Sequence, residues 1–203
     1  MDPIEIDPAG DILLVVGKNH ESDAPLLVSS NFLSFSSPVF ATMLSERFKE
    51  GQDLAASRSN SSPYRLELPE DEYDGMRMLC NLLHLRHDAI SPQDRTIENF
   101  FQLAKASDKY DCCKALGLVV PTLLMPSGMK KSVRELRHLL PLSYMFDHAM
   151  LFALISKNLI LKDGSGFISI DPKEIMPGKT SCKFIGDPTI RVAEHARSAR
   201  GEA

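Results

Sequence analysis

The sequence predicts an α+β fold: a small three-stranded sheet capped by a cluster of helices and followed by a helical extension. Three observations carry this. Short apolar or alternating runs fall early in the chain: DILLVVG at 11–17, PLLV at 25–28 and YRLEL at 64–68. Apolar residues then recur at helical spacing, as Met76, Leu79, Cys80 and Leu83, and again as Ile97, Phe100, Phe101 and Ala104. Two more helices are expected at about 132–140 and 147–161.

Taken in order, 11–17 is an apolar run closed by Gly and reads as a buried strand. A polar turn at 18–23 leads to the second strand, which makes a hairpin with the first. Ser37-Pro38 precedes Val39, Phe40, Met43 and Leu44, which share one helix face. Proline at the first helical position gives up no intrahelical bond, and the serine before it can cap a free N–H. Ser37-Pro38 is therefore read as a helix start, not a modification site, because a charge on Ser37 would sit beside a buried face. The segment 51–63 (GQDLAASRSNSSP) is serine-rich without apolar periodicity and reads as a mobile surface loop. YRLEL alternates as a strand with one solvated face. Thr96 is the expected cap of the helix beginning at Ile97, and a short helix is expected from near Cys112 to about Gly117. Pro121, Pro126 and Gly128 then break the chain, and Asp147 is a candidate cap for the helix that follows. From Asp163 onward Gly, Pro and Lys dominate, so 163–203 is expected to be a partly disordered tail, with a short helix at 187–200. The expected core contains Leu14, Val16, Leu33, Val39, Phe40, Met43, Leu79, Leu83, Phe101 and Tyr110.

Composition narrows the function classes. The 203 residues are 43% hydrophobic and 25% charged, ordinary for a soluble globular protein. A net charge of -4 gives no overall attraction to nucleic acid or anionic membrane. Without Trp, a rich stacking surface for single-stranded nucleic acid is not expected. The cysteines, Cys80, Cys112, Cys113 and Cys182, form no C-x-x-C pair, which argues against a zinc ribbon. The acidic start MDPIEIDPAGD lacks the order of a secretory signal, so a reducing compartment, cytoplasmic or nuclear, is expected. The apolar stretch 139–161 carries Asp147 and His148 near its middle and is interrupted by Pro141, which reads as a buried helical pair, not a membrane span.

Order and residues together resemble a BTB (POZ) domain over about residues 8–125. The resemblance runs through DILLVV, LLVSSNFLSFSSPVFATML, YRLELPED and IENFFQLAKASDKYD. Its most telling pieces are Leu33, the Ser37-Pro38-Val39-Phe40 run with Met43-Leu44, and Leu103-Ala104 followed by Asp108-Lys109-Tyr110-Asp111. Residues 126–162 form the helical extension, of which 132–161 is similar to the segment that follows this domain in many fungal proteins of the type. The resemblance implies a non-enzymatic protein–protein interaction module without cofactor. Such a module self-associates and often serves as a substrate adaptor on a cullin-3 ubiquitin-ligase scaffold. A cullin-independent scaffold or corepressor-type protein is the alternative, and a small thiol enzyme using Cys112 or Cys113 a third reading.

Two departures from the family pattern matter. Where many members carry His and a basic residue before the first helix, this chain has Ser29 and Ser30, so Asp11 is expected to lack a basic partner. Ten residues before the first strand are too few for the strand-and-helix exchange of the transcription-factor branch. Homo-oligomerisation, if it occurs, is therefore expected by another mode.

Phe48-Lys49-Glu50 matches the hydrophobic-x-Glu pattern by which adaptor members engage a cullin. An apolar anchor fills a groove, and a carboxylate two residues on meets a donor. Phe48, Glu50, Met43, Leu44 and Tyr110 are the candidate partner-binding residues. His84 and His87 lack a third ligand for zinc. Glu70, Asp71 and Glu72 are expected to serve a helix N-terminus, and Asp108, Lys109 and Asp111 to form a solvated face around a buried Tyr110. No phosphate-cradling glycine loop and no catalytic triad motif is apparent.

Overall fold

The computed structural model describes residues 1–17, 23–60, 62–126 and 131–162. The expected tail, its helix at 187–200 and Cys182 lie outside the described residues, as does most of the turn at 18–23. The chain divides into two compact units, Met1–Val119 and the part from Val120 onward.

In the first unit, strands β1 (Ile4–Glu5), β2 (Ile12–Val16), β3 (Leu26–Val28) and β4 (Tyr64–Leu68) form one sheet in the order β1-β3-β2-β4. The hairpin of β2 and β3 is antiparallel, with Ile12 opposite Val28 and Leu14 opposite Leu26. β4 runs parallel to β2 from Ile12–Tyr64 to Val16–Leu68. The sheet has four strands, not the three expected. The extra one is β1, which runs parallel to β3 and is fixed by Ile4 N–H donating to Pro25 O at 2.8 Å and Ile6 N–H donating to Leu27 O at 3.0 Å. Two residues are too few for an alternating pattern, so pairing rather than periodicity defines this strand.

Helices α1 (Ser30–Ser36), α2 (Pro38–Met43), α3 (Lys49–Ser59), α4 (Tyr73–Leu83), α5 (Ile97–Lys109) and α6 (Cys113–Leu116) complete this unit, with 3-10 turns at His87–Ala89 and Pro92–Asp94. α4 and α5 pack closely because α4 has Gly75 at the crossing. A Cβ there would meet the Gln102 backbone at 2.7 Å. Thr96 caps α5 as expected, its Oγ1 accepting from Asn99 N–H at 3.1 Å. Ser37 caps α2 in the same way, accepting from Phe40 N–H at 3.0 Å.

The segment expected as a loop is mostly α3. It is a polar helix that buries only Gly51 and Leu54, so its apolar pattern is too sparse to mark it. Gly51 is needed where the helix passes the Ser45 carbonyl, which a Cβ would strike. The core contains eight of the ten expected residues; Val39 and Met43 are half-buried instead. α2 is six residues long and buries Phe40 alone, because so short a helix turns only one side chain fully inward.

In the second unit, α7 (Val119–Leu124) begins at the boundary and is followed by α8 (Val133–Met145) and α9 (Ala149–Lys162). α8 opens on a capping box in which Ser132 and Glu135 bond reciprocally. It continues through Pro141, past the end expected near 140. Leu139, Leu140 and Leu142 are all buried around that proline, and their packing offsets its helix-breaking cost. α9 packs on α8 through Leu151, Ile155 and Leu159, one stripe at i, i+4 and i+8. Asp147 does not cap α9: it has a φ of 50, and His148 Nδ1 accepts from Leu151 N–H at 3.1 Å. Among the described residues no helix is long and apolar enough to cross a membrane.

Phe40 is fully buried and its ring lies 4.2 Å from that of Tyr110, nearly parallel. Phe40→Ala is expected to cost about 3–5 kcal/mol through lost burial and a residual cavity. Urea unfolding of the variant measures this, and an unchanged midpoint would show that the stack contributes nothing.

Candidate protein-interaction surface

The candidate surface begins at the end of α2. Met43 and Leu44 are half-buried there, and the chain turns through Ser45, Glu46 and Arg47. Phe48 N–H donates to Ser45 O at 3.0 Å, which closes the turn. Phe48 then takes the extended N-cap position of α3, where its side chain is not used as a cap. It remains 46% exposed. Glu50 sits in the first turn of α3, half-exposed, where the positive end of the helix dipole favours a carboxylate. Phe48, Glu50, Met43 and Leu44 therefore cluster along one short stretch of chain.

Tyr110 is not on this surface; it is 1% exposed. Its hydroxyl donates to Asp71 Oδ2 at 2.7 Å, and Lys109 Nζ donates to both Asp71 oxygens at 2.8 Å. Burial, then the neighbouring Asp71 carboxylate, pushes the Tyr110 phenol well above its ordinary value. Asp71 stands just before the N-cap of α4, but its carboxylate is taken up by Lys109 and Tyr110 instead of serving that helix end. Its side chain is only 6% exposed, and its charge is met by groups from the end of α5. Lys109 belongs to this cluster, while Asp108 and Asp111 are exposed. The 38-residue separation of Asp71 and Lys109 leaves no local signal for the pairing.

Asp11 does have a basic partner. Arg58, on α3, donates from Nε at 2.9 Å and from Nη2 at 2.8 Å to Asp11 Oδ2. Ser30 adds its N–H and its Oγ, each at 2.8 Å, and Ser30 Oγ accepts from Arg58 Nη2 at 2.7 Å. Burial would raise the Asp11 carboxyl, but the bonds from Ser30 and Arg58 outweigh it and hold the group below its ordinary value. A basic residue 47 positions away thus fills the role missing at position 30.

His84 is buried between α4 and the start of α1. Its Nε2 accepts from Ser29 N–H at 3.0 Å and its Nδ1 lies 2.7 Å from Cys80 O. Nε2 must be unprotonated to accept, so Nδ1 carries the proton and donates. The ring also lies 4.9 Å from that of Phe32. Desolvation lowers the His84 pKa despite the Cys80, Asp7 and Ser29 contributions, which raise it. Both nitrogens are occupied, and the described residues contain no group of three metal-binding side chains. Burial pushes the Cys112 thiol up to about 12, so it remains protonated, and a poor nucleophile, at neutral pH.

No model of a known protein family matches the chain, and a search of the curated proteins finds no match.

The folded state holds His84 below 6.5, so the unfolded chain takes up the proton first. The contribution of His84 to stability is complete above about 6.5 and is lost as pH drops through that value toward the folded pKa. Unfolding free energies from pH 7.5 to 5 with an NMR titration of His84 measure this; a folded pKa at or above 6.5 would contradict it. Arg58→Ala is expected to cost about 1 kcal/mol or less, because the guanidinium is 51% exposed. Asp11→Ala should cost more, about 1–3 kcal/mol, because it strands the N–H of buried Ser30. Urea denaturation of both variants ranks them.

Proposed function

We propose that this chain is a non-enzymatic protein–protein interaction module of the BTB type, and that it docks a cullin-3 scaffold through the surface around Phe48. The observation that carries this is Phe48 itself, an aromatic side chain left 46% exposed at the entry to α3. Glu50 follows two residues on, in the first turn. An exposed aromatic ring with a nearby carboxylate suits a groove with an adjoining donor, since buried aromatic anchors dominate interface energies. The resemblance of residues 8–125 to BTB domains supports the same reading. Met43 and Leu44, a few residues earlier in the chain and half-buried, would add apolar area to such a contact. As an adaptor, the protein would work in the cytoplasm or nucleus and hold its target on the second unit. There, Met150, Leu154 and Leu161 are exposed on α9 at spacings that place them on one face.

A cullin-independent scaffold is the second reading. It is favoured by α1, where Phe32 and Phe35 are 40% and 94% exposed. These side chains form an apolar surface that owes nothing to the cullin pattern.

Titration of the purified chain against a cullin-3 N-terminal fragment separates the two. Phe48→Ala should weaken binding by about 2 kcal/mol or more, over tenfold in dissociation constant. Glu50→Ala should weaken it less, unless its partner is desolvated. Circular dichroism must show that both variants fold. No binding by the folded wild type removes the adaptor reading and leaves the scaffold.

A further inference from the structure

β4 lies at one edge of the sheet, with β2 on its inner side. Tyr64 N–H donates to Asp11 O, and Leu68 O accepts from Gly17 N–H. With the parallel register from Ile12–Tyr64 to Val16–Leu68, these bonds point the backbone groups of Tyr64, Leu66 and Leu68 toward β2. Those of Arg65 and Glu67 point away from it, because successive residues of a strand offer their N–H and C=O to opposite edges. Among the described residues these outward groups have no hydrogen-bond partner. The two side chains share the solvated face, 55% and 59% exposed, with only a long 3.4 Å contact between them.

We propose that this edge pairs with β4 of a second copy of the chain, antiparallel about a two-fold axis through Leu66. Arg65 of each copy then lies opposite Glu67 of the other. Each such pair has its free backbone groups facing and can exchange both N–H···O bonds. On the solvated face each pair also places opposite charges directly across the strands, which is stabilising where like charges would repel. Charged residues on an edge strand usually deter pairing. Here the signs reverse across Leu66, so the strand repels a parallel copy of itself and attracts an antiparallel one. This self-complementarity singles out a second copy over a foreign extended peptide. A two-fold contact uses one edge from each copy and closes the assembly. Pro63 and Pro69 bracket the strand and confine pairing to its five residues, so the dimer is weak and concentration-dependent. The proposal uses no residue of the cullin reading and stands or falls separately.

Sedimentation velocity of the full chain over a concentration series tests it, with Arg65→Glu, Glu67→Arg and the double exchange R65E/E67R. Each single change puts like charges opposite one another and should raise the dimer dissociation constant about tenfold or more. The double exchange restores opposite charges and should return it to the wild-type value. Equimolar Arg65→Glu and Glu67→Arg should associate with each other better than either with itself. The amides of Arg65 and Glu67 in the wild type should exchange with solvent more slowly as concentration rises, a readout that needs no variant to fold. A chain monomeric at every concentration overturns the proposal. So does a dimer whose strength ignores the single changes while both amides exchange freely.

Discussion

Tyr110 is the point at which the first unit is tied together. It ends α5, stacks its ring on Phe40 of α2, and gives its hydroxyl to Asp71 in the link between β4 and α4. Its carbonyl accepts from Ser37 Oγ, the same atom that caps α2. One residue thus fixes α2 and the entry to α4 against the end of α5. The arrangement is demanding, because Asp71 is buried and must keep its donors. A buried carboxylate without them would be strongly destabilising. Lys109 supplies the second donor while leaving part of its own side chain in water, so only one of the two charges is fully desolvated.

The position of α3 depends on a different kind of constraint. It contributes one buried apolar side chain, Leu54, and a glycine that lets its backbone approach Ser45. At its far end Arg58 reaches Asp11, at the start of β2, and Ser30, at the start of α1. The helix is therefore held at one end by close packing and at the other by charge. Phe48 and Glu50 stand at the close-packed end. The proposed partner surface thus rests on a backbone fixed by steric fit, while the ion pair governs the opposite end of the helix.

The proposed surfaces share a physical logic. Phe48 is exposed because the chain passes it into a helix N-terminus before it can turn inward. Among the described residues the outer edge of β4 has no neighbouring strand, because the sheet ends there. Neither feature needs a special site chemistry. Both arise from how short elements terminate, and each offers a partner something water satisfies less well: apolar area in one case, aligned backbone groups in the other.

Much of the fold was legible in the sequence. The β2–β3 hairpin, β4, the two long central helices and the caps Ser37 and Thr96 follow from local apolar spacing and local hydrogen bonding, which act within a few residues. Phe48 and Glu50 were singled out only by likeness to a family pattern; their place at the start of α3 came from the structure. What escaped reading were features defined by distant partners. β1 exists because β3 lies beside it. α3 is a helix despite a weak pattern because Gly51 fits Ser45 and Arg58 meets Asp11. The burial of Tyr110 was legible, but its enclosure by Asp71 and Phe40, which keeps it from any partner surface, was not. Val39 and Met43 stayed half-buried because α2 is too short to turn more than Phe40 inward. Elements held by local contacts could be read from the amino-acid order alone. Which charges pair, which aromatic rings are enclosed and which strand ends the sheet among the described residues were set by the folded arrangement, because those outcomes depend on residues tens of positions apart being brought within a few ångströms.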